Sequence, residues 1–216
     1  MILSAHDAAV QRFQGSTLSG LIRLGTTDDV AADRAVGIAG RFRWAHPGIR
    51  LQVRVSSSLK VAEWVDEGAI DLAVMPVEAA NVRQNDFTLW SEPLCFVQAK
   101  ESDFSVQDAL PLVSFGSRCF YGGIAAALLE DAGIAYDNAL ESASIAGVCA
   151  AVSAGFGVAL MNASFMSDDQ CEWSGASELP APPDIHYVLR AARLPLTAAQ
   201  ESLVAELRGS VPLTAE

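Results

Sequence analysis

Basic side chains are scarce: 14 Lys and Arg stand against 26 Asp and Glu, for a formal net charge of −12 at pH 7. Gripping phosphates needs concentrated Lys and Arg, so this chain is poorly suited to hold nucleic acid by itself. Arg41, Arg43, Arg50 and Arg54 form a loose basic stretch, read here as a solvated face or a subunit contact. No apolar run reaches the roughly 18 residues that a membrane span requires. The start MILSAHDAAVQRFQ lacks the basic opening and apolar core of a signal peptide, so a cytoplasmic location with no membrane partner is expected. Cys95, Cys119, Cys149 and Cys171 are widely spaced with no C-x-x-C pair, which points to buried free thiols instead of a zinc site or a disulfide framework. His6, His46 and His186 have no Cys, Asp or Glu at metal-ligand spacing. Gly155-Phe156-Gly157 lacks the third glycine of a dinucleotide fingerprint and follows a helical pattern instead of preceding one. A G-x-S-x-G nucleophile turn is also missing. No cofactor, no metal and no catalysis are therefore expected.

What is present is a repeated unit. LIRLGTTDD runs into the helical pattern AADRAVGIAGRFRWA, which stops at His46-Pro47-Gly48, where proline removes a donor and restricts its neighbour. IRLQVRVSSSL then runs into KVAEWVDEG, and IDLAVM closes the set as a third strand. Ile49, Leu51, Val53 and Val55 alternate with Arg50, Gln52, Arg54 and Ser56, the pattern of a strand with one solvated face. The second helix ends at Gly68, the residue best tolerated in a left-handed cap. Phe87 to Ala99 reads as a long apolar strand, interrupted at Glu92-Pro93, that crosses to a second lobe.

That lobe follows the same grammar. A strand over Leu110 to Phe115 leads through Gly116-Ser117-Arg118-Cys119 into a helix over Tyr121 to Asp131, and a strand follows around Tyr136 to Glu141. Ser142-Ala143-Ser144 opens the helix Ile145 to Ala154, and Val158 to Met161 is another strand. Residues 167 to 184 look like an irregular return, Ile185 to Ala191 a strand, and Thr197 the start of a final helix. The fold class is therefore α/β, with two Rossmann-like lobes joined by two crossover segments. In open parallel sheets, ligands sit beyond the carboxyl ends of the strands, near helix N-termini. Thr26, Thr27 and Asp28, Ser57 and Ser58, Ser117, Arg118 and Cys119, and Ser144 all fall at such positions, and four loops would bring them to one interlobe cleft. Taken one at a time, each is better explained as an N-cap than as a ligand contact, and it is their joint occurrence that points to a site. Asp28 and Asp29 favour a cationic ligand and the helix N-termini an anionic one, and both polarities stay open at this point.

LIRLG, FRWAHPGIRLQVRVSSS, VDEGAIDLAV and AGVCAAVSAGFGVALM together resemble the effector-binding domain of LysR-type transcriptional regulators, over nearly all of residues 16 to 208. LGTTDD, LPLVSFGSRCFY, ESASIAGVCAAVSAG and LPAPPDIHYVLR are similar to the LrhA-like subgroup, with Gly122 standing where that pattern has an arginine. The resemblance implies a fold like type II periplasmic binding proteins. Residues 1–18 would end a linker helix, 19–95 with 188–216 would form lobe I, and 96–187 lobe II. It also implies a small-molecule effector in the cleft and a homodimer or homotetramer formed through the first helix and second strand. Promoter DNA would be reached only through an N-terminal winged helix-turn-helix absent from this chain. Two other readings compete: a free-standing periplasmic-type solute-binding protein, and a redox sensor using Cys119, which would need a depressed thiol pKa.

Overall fold

The computed structural model describes residues 18–30, 35–106, 108–116 and 119–209. The expected linker-helix end at 1–17, and Ser117 and Arg118, lie outside them.

Lobe I is a five-stranded sheet in the order β2-β1-β3-β10-β4. Its strands are β1 (Gly20–Thr26), β2 (Ile49–Val55), β3 (Leu72–Glu78), β4 (Phe87–Glu92) and β10 (Ile185–Ala191). β1 runs parallel to β2 and β3, and β10 runs antiparallel to β3 and β4. Helices cover both faces. On β3, Leu72 and Val74 join the cluster holding Ile38 and Phe42 of α1 (Val36–Ala45) and Leu203 and Leu207 of α5 (Ala198–Gly209). The alternate residues Ala73, Met75 and Val77 pack with Val61 and Val65 of α2 (Ser58–Asp66). Side chains of period two thus supply two cores from one strand, which is why LAVMPV reads as a continuous apolar run. Pro76 is tolerated there because β1 pairs β3 only through Leu72, Ala73 and Val74, so the missing N–H lies beyond that ladder. β2 is an edge strand, but its alternation does not mark one buried face throughout: Ile49 is buried and Leu51 half-buried, whereas Val53 and Val55 are exposed like the polar residues between them.

Lobe II holds β8 (Ala159–Asn162), β5 (Leu94–Ala99) and β9 (Gln170–Glu172) in one sheet and β6 (Leu110–Ser114) with β7 (Tyr136–Glu141) in another. A parallel bridge between Leu112 and Val158 joins the two, placing the strands in the order β7-β6-β8-β5-β9. Gly157 permits that seam, since a Cβ there would collide with the Pro111 carbonyl oxygen. α3 (Phe120–Asp131) and α4 (Ile145–Ser153) pack into different clusters, the first with Leu110 and Leu160, the second with Val113 and Met161.

The run 87–99 is not one crossing strand. Pro93 divides it into β4, paired to β10 in lobe I, and β5, paired to β8 and β9 in lobe II. The return 167–184 contains the short strand β9, whose three residues carry no alternation to betray them. One apolar cluster runs through both lobes, uniting Leu24 and Leu189 with Phe96 and Tyr121. The clusters under α2 and α4 remain separate, and the lobes part between those helices.

Candidate functional site

Between the separated clusters lies a cleft of about 700 Å³, within the usual range for small-molecule sites. Lobe I contributes Thr27, Asp28 and Asp29 from the end of β1, Ser56, Ser57, Ser58 and Lys60 from the start of α2, and Trp64 and Pro76 behind them. Lobe II contributes Phe115, Cys119, Tyr121, Ser142, Ala143, Ser144, Ile145 and Phe165. Of the residues proposed from sequence, Thr27, Asp28, Ser57, Ser58, Cys119 and Ser144 therefore line one cavity. Thr26 is fully buried at the end of β1 and is not among the lining residues.

N-capping does not account for these hydroxyls. Ser57 and Ser144 stand at the N-cap positions of α2 and α4 in extended conformation, yet neither makes a side-chain capping bond. The Ser58 hydroxyl is buried without a hydrogen-bond partner, whereas the Thr27 hydroxyl lies against the Asp29 carboxylate. At α4 the missing cap comes from across the cleft, where the Ile145 N–H donates to Asp28 Oδ2 at 3.2 Å. A carboxylate at a helix start meets unpaired N–H groups and the positive end of the helix dipole, so this contact draws the lobes together.

The floor of the cleft is a polar chain linking the lobes. Tyr187 of β10 donates to Asp29 Oδ2 at 2.7 Å. Fully buried Asn162, at the end of β8, donates to the Tyr187 hydroxyl at 3.0 Å and to Glu92 Oε2 at 2.8 Å, and accepts from the Tyr121 hydroxyl at 2.8 Å. Glu92 also accepts from Ser164 at 2.6 Å and from the Trp90 indole at 2.8 Å, and Trp90 stacks on Tyr187 with ring centroids 4.4 Å apart. Burial raises the Asp29 carboxyl above its ordinary value; the hydroxyl and backbone donors around it pull the other way. Burial likewise raises the Tyr121 and Tyr187 phenols, keeping both as neutral donors. The Cys119 thiol is pushed up to about 11, the reverse of what a redox sensor requires. Among the described residues, no group of three or more His, Cys, Asp or Glu could hold a metal ion.

Sequence reasoning missed Trp64, Phe115 and Phe165, whose apolarity looks the same whether they line a wall or fill a core. It weighed Asp29 for the polarity of the ligand but did not place it among the site residues. Ser56 and Ser142 belonged to hydroxyl runs already singled out and were within reach. Glu92, Asn162 and Tyr187 carried no local signal, because their contacts join distant parts of the chain.

Comparison with known proteins bears on the same residues. The family described as LysR substrate binding domain matches residues 15–211. The HTH-type transcriptional regulator DgdR of Burkholderia cepacia is 26% identical over 214 residues, covering 98% of this chain and 71% of its own length. The HTH-type transcriptional regulator PecT of Dickeya dadantii is 23% identical over 188 residues, covering 87% of this chain and 59% of its own length. This chain thus spans between about half and three quarters of such relatives. The regulatory domain of CcmR from Synechocystis PCC6803, solved in complex with 2-PG, superposes with a TM-score of 0.71 at 13% identity, over 91% of this chain and 99% of that one.

Proposed function

This chain belongs to the LysR substrate binding domain family, the effector-binding part of LysR-type transcriptional regulators with the two-lobed fold of type II periplasmic binding proteins, and on that premise we propose what its cleft and edges do. The cleft between α2 and α4 takes a small-molecule effector, bound through Thr27, Asp28, Ser57, Ser58, Cys119 and Ser144. The observation that carries this reading is the buried, unpartnered Ser58 hydroxyl at an uncapped helix start that lines the cavity. Ser117 and Arg118 remain part of the proposed site on sequence grounds. Binding changes the angle between the lobes to the extent that the ligand prefers one arrangement over another. Promoter DNA is contacted by a helix-turn-helix region beyond this chain, in keeping with the scarcity of basic residues here. The working location is the cytoplasm. Among the described residues, no helix is long and apolar enough to cross a membrane. The regulator names of the relatives favour this reading over a free-standing solute-binding protein.

Screening small metabolites by thermal shift tests the cleft, since a ligand selective for the folded state raises the melting temperature. Ala143→Trp, on an exposed lining position, is expected to abolish any such shift without unfolding the chain. Hits indifferent to that bulk would place the ligand elsewhere.

Two copies pair through their sheet edges. β2 ends lobe I with exposed Arg50 and Arg54, and β7 ends lobe II with exposed Asp137 and Glu141. A two-fold axis that sets β2 of one copy beside β7 of the other satisfies both charge sets twice, as an isologous contact requires. It would also cover Trp44, 82% exposed on α1. Arg50→Glu is expected to weaken the dimer at least tenfold in sedimentation, and adding Asp137→Arg to restore it. Unchanged dimerisation in the single variant would remove these edges from the interface.

A further inference from the structure

The cleft has two poles of opposite sign. At the end of β1, Asp28 and Asp29 stand side by side. Asp29 is desolvated and receives a hydrogen bond from Tyr187, but no cation contributes to its environment, and burial has raised its carboxyl accordingly. A desolvated carboxylate lining a cavity gains most from a charged donor. The other pole is the start of α2, nine residues long, where unpaired N–H groups and the helix dipole favour an anion. The start of α4 is already closed by Asp28, whereas Ser57 leaves that of α2 uncapped. The second sign of a ligand there is independent of the dipole: Ser58 is 6% exposed, lines the cleft, and its hydroxyl has no partner. Lys60, paired with Glu63 at 2.7 Å, lies in the first turn of the same helix. Between the poles the walls are aromatic, with Trp64 from lobe I and Phe115 and Phe165 from lobe II.

A simple anion would meet the two aspartates, and a simple cation would meet the α2 start and Lys60. A ligand carrying both charged groups on one carbon meets neither penalty. We propose that the effector is a zwitterionic α-amino acid with an apolar side chain, its ammonium beside Asp28 and Asp29, its carboxylate at the first turn of α2 with Ser57 and Ser58, and its side chain against Trp64 and Phe115. This assignment rests on the cleft being the effector site, and it names the chemistry of what enters.

The test is isothermal titration of the chain with the twenty proteinogenic L-amino acids, followed by the two truncated analogues of each binder, one lacking the amine and one lacking the carboxylate. At least one apolar amino acid is expected to bind, with each truncation weakening affinity tenfold or more. Asp29→Asn keeps the acceptor for Tyr187 and removes the charge. It should weaken the amino acid tenfold or more while leaving the deaminated acid unchanged or tighter. Asp28→Asn gives the same contrast if the first variant does not fold, as judged by circular dichroism. A deaminated acid that binds the wild type as tightly as its amino acid overturns the zwitterion and leaves the effector cleft standing. Silence from all twenty amino acids overturns it too, and the metabolite screen with Ala143→Trp then decides the cleft reading separately.

Discussion

The outer rim of lobe I and the floor of the cleft both hold carboxylates, and they satisfy them in opposite ways. On the rim every carboxylate considered meets an arginine. Arg23 grips Asp71 through Nη2 at 2.9 Å and Nε at 3.2 Å, Arg83 grips Asp66 through both terminal nitrogens, and Arg190 grips Asp86 at 2.6 and 2.8 Å while also donating to the Asn81 carbonyl. On the floor, Asp29 and Glu92 are met by hydroxyl, amide and indole donors. Bidentate guanidinium pairs hold one geometry, whereas neutral donors can exchange partners as two bodies turn against each other. Charge is thus clamped where the sheet must stay rigid. It is left without a counter-ion where the lobes meet around the cleft.

The largest effect is expected on the rim. Asp86→Ala strands Arg190, whose side chain is 6% exposed, as a buried cation without its counter-ion. Breaking such a pair from one side costs about 3–5 kcal/mol, read as a fall in urea midpoint. Replacing both members, Asp86→Leu with Arg190→Met, should recover most of that loss. A single variant within about 1 kcal/mol of wild type would mean that the rim is no stiffer than the floor.

A smaller effect is expected from Asn162→Leu on the floor. The substitution leaves the Tyr121 hydroxyl without its acceptor and Glu92 with fewer donors, a loss of about 1–3 kcal/mol. Because Asn162 ties β8 of lobe II to β4 and β10 of lobe I, the variant should also broaden the distribution of interlobe distances between spin labels placed on Ala143 and Lys60. An unchanged distribution would show that the shared apolar cluster alone fixes the lobes.

The contrast between the regions also explains what the sequence could reveal. Strand β2 was legible because apolar and polar residues alternate from Ile49 to Val55, although Val53 and Val55 prove to be exposed at the sheet edge. Gly68 and Gly155 mark chain reversals after helices, and Ser57 and Ser144 mark helix starts; these signals are all local. The division at Pro93 was visible as an interruption, but the assignment of its two halves to different sheets depends on pairing with β10 and β8, far along the chain. The floor is longer in range still: Tyr187 reaches Asp29 across 158 positions and Asn162 reaches Glu92 across 70. No periodicity reports such a contact. The hydroxyl loops that line the cleft and the acidic pair beside them could therefore be read, while the tyrosine that holds Asp29 could not.

Asp29 gives the subtlest measurement, and its sign is fixed by the direction of its shift. Burial raises its carboxyl in the folded chain above the ordinary aspartate value of 3.8, so folding favours the protonated form. Below the unfolded value both states are protonated and the site costs nothing. As pH rises above the unfolded value the unfolded chain ionises first and the cost of the buried charge appears, growing until pH passes the raised folded value and constant beyond it. Asp29→Asn removes that cost and keeps an acceptor for Tyr187. The variant should match wild type in urea unfolding near pH 4 and exceed it at pH 7. Equal stability at both pH values would mean that the donors around Asp29 already offset its desolvation, making the floor as well compensated as the rim. A gain confined to neutral pH would mark a carboxylate that the fold keeps at its own expense, as expected of a group whose counter-charge arrives with the ligand.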